Sequence, residues 1–146
     1  MTSANNGPMA GTRVVDLTRI LAGPFCAMML GDMGAEIIKV EPPGTGDDTR
    51  GWGPPFAAGE AAYFLGINRN KRSMTLNMAV APGQDILAAL IKKSDVLVEN
   101  FKAGTLEKWG FSNDWLAANA PRVIRCSITG YGANGPKGGL PGYDFI

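Results

Sequence analysis

Histidine is absent from these 146 residues. Its absence excludes Ser-His-Asp and Cys-His nucleophiles, histidine-bearing zinc sites and every histidine general base, so any chemistry must rest on carboxylate, hydroxyl, amine or backbone groups. Cysteine is nearly absent: Cys26 and Cys126 stand a hundred residues apart, with neither the paired spacing of a metal site nor the density of a disulfide scaffold. They read as buried small hydrophobes in a reducing compartment, which implies a cytoplasmic protein. An excess of charge is also missing. Fourteen basic residues meet thirteen acidic ones for a net charge of +1, a balance that argues against a nucleic-acid partner and a membrane-surface helix, both of which concentrate Lys and Arg where this chain scatters them. No apolar run is long enough to cross a bilayer, since residues 20–30 are interrupted by Gly23 and Pro24. Residues 1–11 lack the basic start and apolar stretch of a signal peptide and read as a flexible leader.

What remains is the make-up of a globular domain, 45% hydrophobic and 18% charged. A chain of this length buries roughly two-thirds of its unfolded surface. Val14, Val15 and Leu17 predict a strand over 13–17, and Pro24 opens a helix rich in methionine that Gly34 ends. A second strand is expected over 35–40, a third over 73–78, a fourth over 95–98 and a last over 123–128. A helix starting at Pro82 places Ile86, Leu87, Leu90 and Ile91 on one face, and two short helices are expected over 105–109 and 113–120. This alternation predicts an α/β fold, a doubly wound and mainly parallel sheet. Glycine and proline cluster at 42–59 and 130–142. The segment GTGDDTRGWGPPFAAG (44–59) has neither helical nor strand period and reads as a long functional loop.

Gly130, Gly132 and Gly135 satisfy the G-x-G-x-x-G pattern after a strand, which is half of a dinucleotide fingerprint. The prolines and glycines that follow deny the helix start that the other half needs, so nicotinamide and flavin are not expected.

Four stretches together carry a sharper likeness: VVDLTRILAGPFCAMMLGDMGAEIIKVEPPGTGDDTR (14–50), NRNKRSMTLNM (68–78), DVLVENFKAGTLEKWGF (95–111) and RVIRCSITGYGANGPKGGLPGYDF (122–145). In this order they resemble the family III CoA-transferases of the CaiB/BaiF type, which include formyl-CoA and carnitine CoA-transferases. The segments DLTRILAGPF and GDDTRGWGPPF are most similar to the branch that moves coenzyme A between dicarboxylates such as succinate, glutarate and hydroxymethylglutarate. The resemblance implies a Rossmann-like CoA-binding domain over 12–146, a homodimer of interlocked subunits, acyl-CoA and carboxylic-acid substrates, and no prosthetic group. It also implies an aspartate nucleophile that forms an anhydride with the donor acyl group and then an aspartyl-CoA thioester. In the family that aspartate follows the GYD segment by a few tens of residues, so no catalytic residue is assigned here, Asp144 included, and the chain is expected to be an N-terminal fragment. A carboxylate nucleophile needs no histidine. Relatives that racemise acyl-CoA place a histidine where Tyr143 stands. A CoA-binding module without catalysis is the other alternative.

Carried over residue by residue, the resemblance assigns Leu21 and Ala22 to the thioester end of the ligand, and Leu76, Asn77 and Met78 to its adenine. It assigns Asn100, Phe101 and Lys102 to a CoA-contacting turn, with Lys108 one helical turn on, and Pro141, Gly142 and Tyr143 to the acyl pocket. Some relatives carry glutamine at Leu21, lysine at Ala79 and a basic residue at Pro42, so those contacts are missing here. Each position also has a structural reading: a packed helix start for Leu21 and Ala22, a solvated surface lysine for Lys108, and an aromatic core residue for Tyr143. The basic triplet Asn70-Lys71-Arg72 matches a family signature and equally suits a turn that guards a sheet edge. Asp47 and Asp48 are expected to be solvated or bonded to nearby backbone, Glu99 to be an exposed strand-end carboxylate, and Trp52, Trp109 and Trp115 to be packing residues.

Overall fold

The computed structural model describes residues 7–142. In chain order the elements are β1 (Arg13–Asp16), α1 (Ala22–Asp32), β2 (Glu36–Glu41), a 3-10 turn (Asp48–Gly51), β3 (Phe56–Ala57), β4 (Glu60–Ala61), α2 (Ala62–Asn68), β5 (Lys71–Thr75), α3 (Ala81–Lys92), β6 (Val96–Glu99), α4 (Thr105–Lys108), α5 (Asn113–Asn119) and β7 (Ile124–Ser127). Five strands form one sheet in the order β5-β2-β1-β6-β7, and every pair in it is parallel. Parallel strands are buried on both sides. On one face Val14, Ile37 and Val98 pack with Ala27 of α1. On the other, Val15, Val40 and Leu97 pack with Leu87 and Ile91 of α3, Leu106 of α4 and Leu116 of α5. The chain winds from β1 outward to β2 and β5, then returns to the other edge of β1 through β6. That reversal is the point at which open α/β sheets leave a crevice beyond the strand carboxyl ends.

Local chemistry sets the element boundaries. Helix α1 stops at Asp32 because Gly34 takes φ +105°, a left-handed turn that aims the chain into β2. Residues 7–12 run beside this corner, where Met9 N donates to Met33 O at 3.0 Å and Glu36 N to Thr12 O at 2.9 Å. Helix α3 approaches the turn after β5 so closely that a Cβ on Gly83 would overlap the Asn77 carbonyl.

Several expectations are corrected. Strand β5 begins at Lys71, two residues early, because the buried Lys71 ammonium is neutralised by Asp16 and the turn shrinks to Asn70 at φ +62°. The 44–59 segment holds the 3-10 turn and a β3–β4 hairpin, and the unforeseen α2 follows it. Ile86 lies off the packed face of α3: it is 48% exposed, while Gly83, Leu87 and Ile91, four residues apart, are buried. Both cysteines are half-buried rather than buried, and Trp52 is 48% exposed beside Tyr63. After β7 no helix follows the 130–135 glycines among the described residues, as their prolines predict.

Candidate functional site

The crevice between β1 and β6 is framed by two turns, residues 18–21 after β1 and 100–104 after β6. The Asn100 side chain ties them together: its Oδ1 accepts from Arg19 N at 2.9 Å and its Nδ2 donates to Arg19 O at 2.8 Å. Ile20 sits at φ +72°. For a β-branched residue this left-handed geometry costs about 1–3 kcal/mol and persists only where its surroundings enforce it. They do so here through nearly every neighbouring backbone group. Thr18 N donates to Asp16 Oδ1 at 2.9 Å, Lys39 Nζ to Thr18 O at 2.9 Å, and Ile20 N reaches Asp47 Oδ1 at 3.4 Å. At the far end, Lys71 Nζ donates to Pro24 O at 2.8 Å.

The charges that hold the turn are buried beneath it on one face of the sheet. Lys39 pairs with Asp47 at 2.8 Å with side chains 1% and 0% exposed, and Lys71 pairs with Asp16 at 2.9 Å with side chains 1% and 0% exposed. Burial pushes the Lys71 ammonium below its ordinary value, against the pull of Asp16. Burial would raise the Asp47 carboxyl, but the Lys39 ammonium and the Thr49 N–H and hydroxyl outweigh it and hold it below the usual carboxylate range. Glu41 accepts Arg50 Nε and Nη2 at 2.8 Å each, Ser73 Oγ at 2.6 Å and Asp47 N at 2.8 Å. These donors overcome its burial and bring it down to about 2, while the Glu41 carboxylate beside Arg50 raises the guanidinium. Arg50 also bonds Glu60 and stacks 3.8 Å over Phe64, so the 47–61 excursion is bolted to the end of β2. Among the described residues no buried side-chain polar atom lacks a partner.

This corrects two expectations. Asp47 is a buried ion-pair member as well as the local cap of Thr49 N, and only Asp48 is exposed, pairing with Arg19. Glu99 is 4% exposed, because it faces Arg125 across β6–β7 and caps Phe101 N at 3.0 Å. Sequence reasoning singled out none of Asp16, Arg19, Lys39 or Glu41. A signal existed: Ile37, Lys39 and Glu41 alternate along β2 on one face, and charge at that period in a central strand demands buried partners.

The candidate residues that the structure describes lie in the segments that follow β1, β5, β6 and β7, apart from Lys108, which ends α4. Leu21 is the N-cap of α1, half-buried, with no side chain capping the helix, and Ala22 follows it, exposed. Asn100 bridges to Arg19, and Phe101 packs edge to face on Trp109 at 5.2 Å. Lys102 and Lys108 are exposed on the same loop-and-helix segment. Leu76 and Met78 point into the core and leave Asn77 outward after β5, two strands from β1, about 10 Å to the side. Pro141 and Gly142 return to the end of β7, where Gly142 touches Gly130 backbone to backbone. Tyr143 lies outside the described residues. The turn residues line one rim that a long ligand could follow.

A family model described as CoA-transferase family III matches residues 9–146. The chain belongs to CoA-transferase family III. Within that family it is 52% identical over 139 residues to a succinyl-CoA:glutarate CoA-transferase of Mus musculus, covering 95% of this chain and 32% of the relative. It is 47% identical over 145 residues to a succinate–glutarate CoA-transferase of Agrobacterium fabrum, covering 95% and 36%. A CaiB/BaiF family protein from Brucella suis superposes with a TM-score of 0.90 at 49% identity, covering 96% of this chain and 38% of that one. The chain thus spans about a third of the length of the relatives that it matches.

Proposed function

We propose that the protein to which this chain contributes transfers coenzyme A from a dicarboxylic acyl thioester to another carboxylic acid. The observation that carries the reading is the 52% identity with a succinyl-CoA:glutarate CoA-transferase across 95% of the chain. The β1–β6 crevice is compatible with it, because a pantetheine thioester entering there meets backbone of the 18–22 turn, and lysines 102 and 108 stand on the adjoining segment where phosphates need cations.

In this reading the attacking group is an aspartate carboxylate a few tens of residues past the GYD segment, and not Asp144. Asp16, Glu41, Asp47 and Glu99, the buried carboxylates at this edge, are each neutralised by a lysine or arginine, and a carboxylate so held is a poor nucleophile. The aspartate would displace CoA thiolate from the donor to form an anhydride, accept the thiolate back to form aspartyl-CoA and release the donor acid. The acceptor carboxylate then repeats the exchange in reverse. Leu21 and Ala22 would orient the thioester end, Leu76 to Met78 the adenine, residues 100–102 and Lys108 the phosphates, and Pro141 to Tyr143 the acyl group. A homodimer belongs to this reading, supported by an exposed apolar stripe of Phe25, Met29 and Met33. So does a cytoplasmic setting, supported by two free cysteines. The described residues contain no helix long and apolar enough to cross a membrane.

The test is direct. The native polypeptide, given succinyl-CoA and glutarate, is expected to release glutaryl-CoA and succinate in equal amounts by liquid chromatography. Exchange of an acyl-CoA α-proton into deuterated water with no acceptor acid present would replace transfer with racemisation.

A further inference from the structure

We propose that the Lys39–Asp47 pair is a positioning element, a brace that holds the 18–22 turn in the one backbone geometry that can present it to a ligand in the β1–β6 crevice. The inference rests on the transferase reading for what is positioned, but its geometry stands alone. The pair is fully buried, and desolvating two charges is so costly that an apolar pair of similar volume is often as stable or more so. Fold stability is therefore a weak reason for its presence. Its remaining hydrogen bonds point to a better one. Lys39 Nζ donates to Thr18 O at 2.9 Å, and Asp47 Oδ1 faces Ile20 N at 3.4 Å, so the pair holds both sides of the peptide run that forces Ile20 to φ +72°. Lys39 belongs to β2 and Asp47 to the excursion after it. Lys39 holds Asp47 Oδ2, and Thr49 fixes Oδ1, the oxygen that faces Ile20, by donating to it from N at 3.0 Å and Oγ1 at 2.8 Å. Asn100 holds Arg19 from the opposite side of the crevice. Remove the brace and the strained residue is free to relax, and the turn with it.

The native-length enzyme separates this role from a structural one. Lys39→Met and Asp47→Leu, made singly, each leave a buried charge unpaired and are expected to lower the melting temperature strongly. Made together they remove both charges, and part of the melting temperature is expected to return, the Thr18 carbonyl and the Thr49 N–H left without partners holding back the rest. The double variant is nevertheless expected to exchange CoA about a hundredfold more slowly in kcat, the scale of loss that an ångström of misplacement brings, with KM for the CoA donor within about threefold. A merely structural pair predicts recovery of kcat along with stability, and that result overturns the proposal. If the double variant does not fold, Thr49→Val carries the test. It removes the hydroxyl that orients Asp47 and is expected to cost about tenfold in kcat; unchanged kcat overturns the proposal. Should the parent enzyme transfer no CoA at all, the functional reading falls and the brace is judged on hydrogen exchange alone. Amides 20–22 are expected to exchange at least tenfold faster in the folded double or Thr49→Val variant, and equal rates overturn it.

Discussion

Glu41 shows how one residue can hold a loop and set a pH limit. Its folded pKa is about 2 against an ordinary 4.5, so the folded state binds the proton less readily than the unfolded one. The stabilisation is therefore complete above pH 4.5 and is lost as pH falls from there toward 2, a total of about 3 kcal/mol. Asp47 shifts in the same direction. Urea midpoints measured between pH 7 and pH 2.5 should fall steeply below pH 4.5. Glu41→Gln should lose about 2 kcal/mol at pH 7, the worth of its charged hydrogen bonds, and flatten the acid limb; an unchanged limb would mean that Glu41 is not its source. Residue-scale roles of this kind were the least legible part of the sequence. Asp47 looked like one of two adjacent loop acids, because nothing in the string 44–59 says that Lys39 lies directly beneath it. The pairing exists only once β2 has been placed in the sheet.

At the scale of elements, patterning found most of the strands and helices and misplaced one residue of the α3 face. Four aliphatic residues, Ile86, Leu87, Leu90 and Ile91, satisfy helical spacing, yet the helix seats itself on Gly83, Leu87 and Ile91, because Gly83 lets its backbone meet the Asn77 carbonyl. The contact turns Ile86 toward solvent. Leu87→Ala should cost about 2–5 kcal/mol by leaving a cavity, whereas Ile86→Ala should stay within about 0.5 kcal/mol. Gly83→Ala, favourable by helix propensity, should instead destabilise by about 1–3 kcal/mol, because the added methyl has no space. Chemical denaturation of the three variants tests the orientation, and equal losses for Leu87 and Ile86 would refute it. Periodicity could not resolve this face, since it counts hydrophobic residues and not the glycine that decides how close a helix may come. The same limit hid α2, seven residues that pack beside α1 without a strong pattern of their own.

For the whole molecule, the alternation of strand and helix made the α/β class readable. Strand order, and with it the crevice, came from the fold. The two ends of the sheet then differ in kind. At the amino end a hollow of about 420 Å³, lined by Thr12, Glu36 and Asp95 among others, is edged by local pairs such as Arg13 with Glu36 at 2.7 Å and Arg13 N with Asp95 Oδ2 at 2.9 Å. At the carboxyl end the strand charges hold turns, and α1 starts at half-buried Leu21 and exposed Ala22 with no capping side chain. Coenzyme A added to the native polypeptide at about a hundred times its Kd should stabilise the fold by about 2.7 kcal/mol. Amides that exchange only through global unfolding should then slow together by roughly a hundredfold, wherever they lie. Amides that exchange through local opening carry the discrimination. Those at 20–22 and 100–104 should be protected further, and those at 11–13 and 34–36 should not change, because ligand at the crevice restrains only the carboxyl-edge turns. Protection at the amino-end hollow with none at 20–22 would put the ligand on the wrong end of the sheet and remove the switch-point argument altogether.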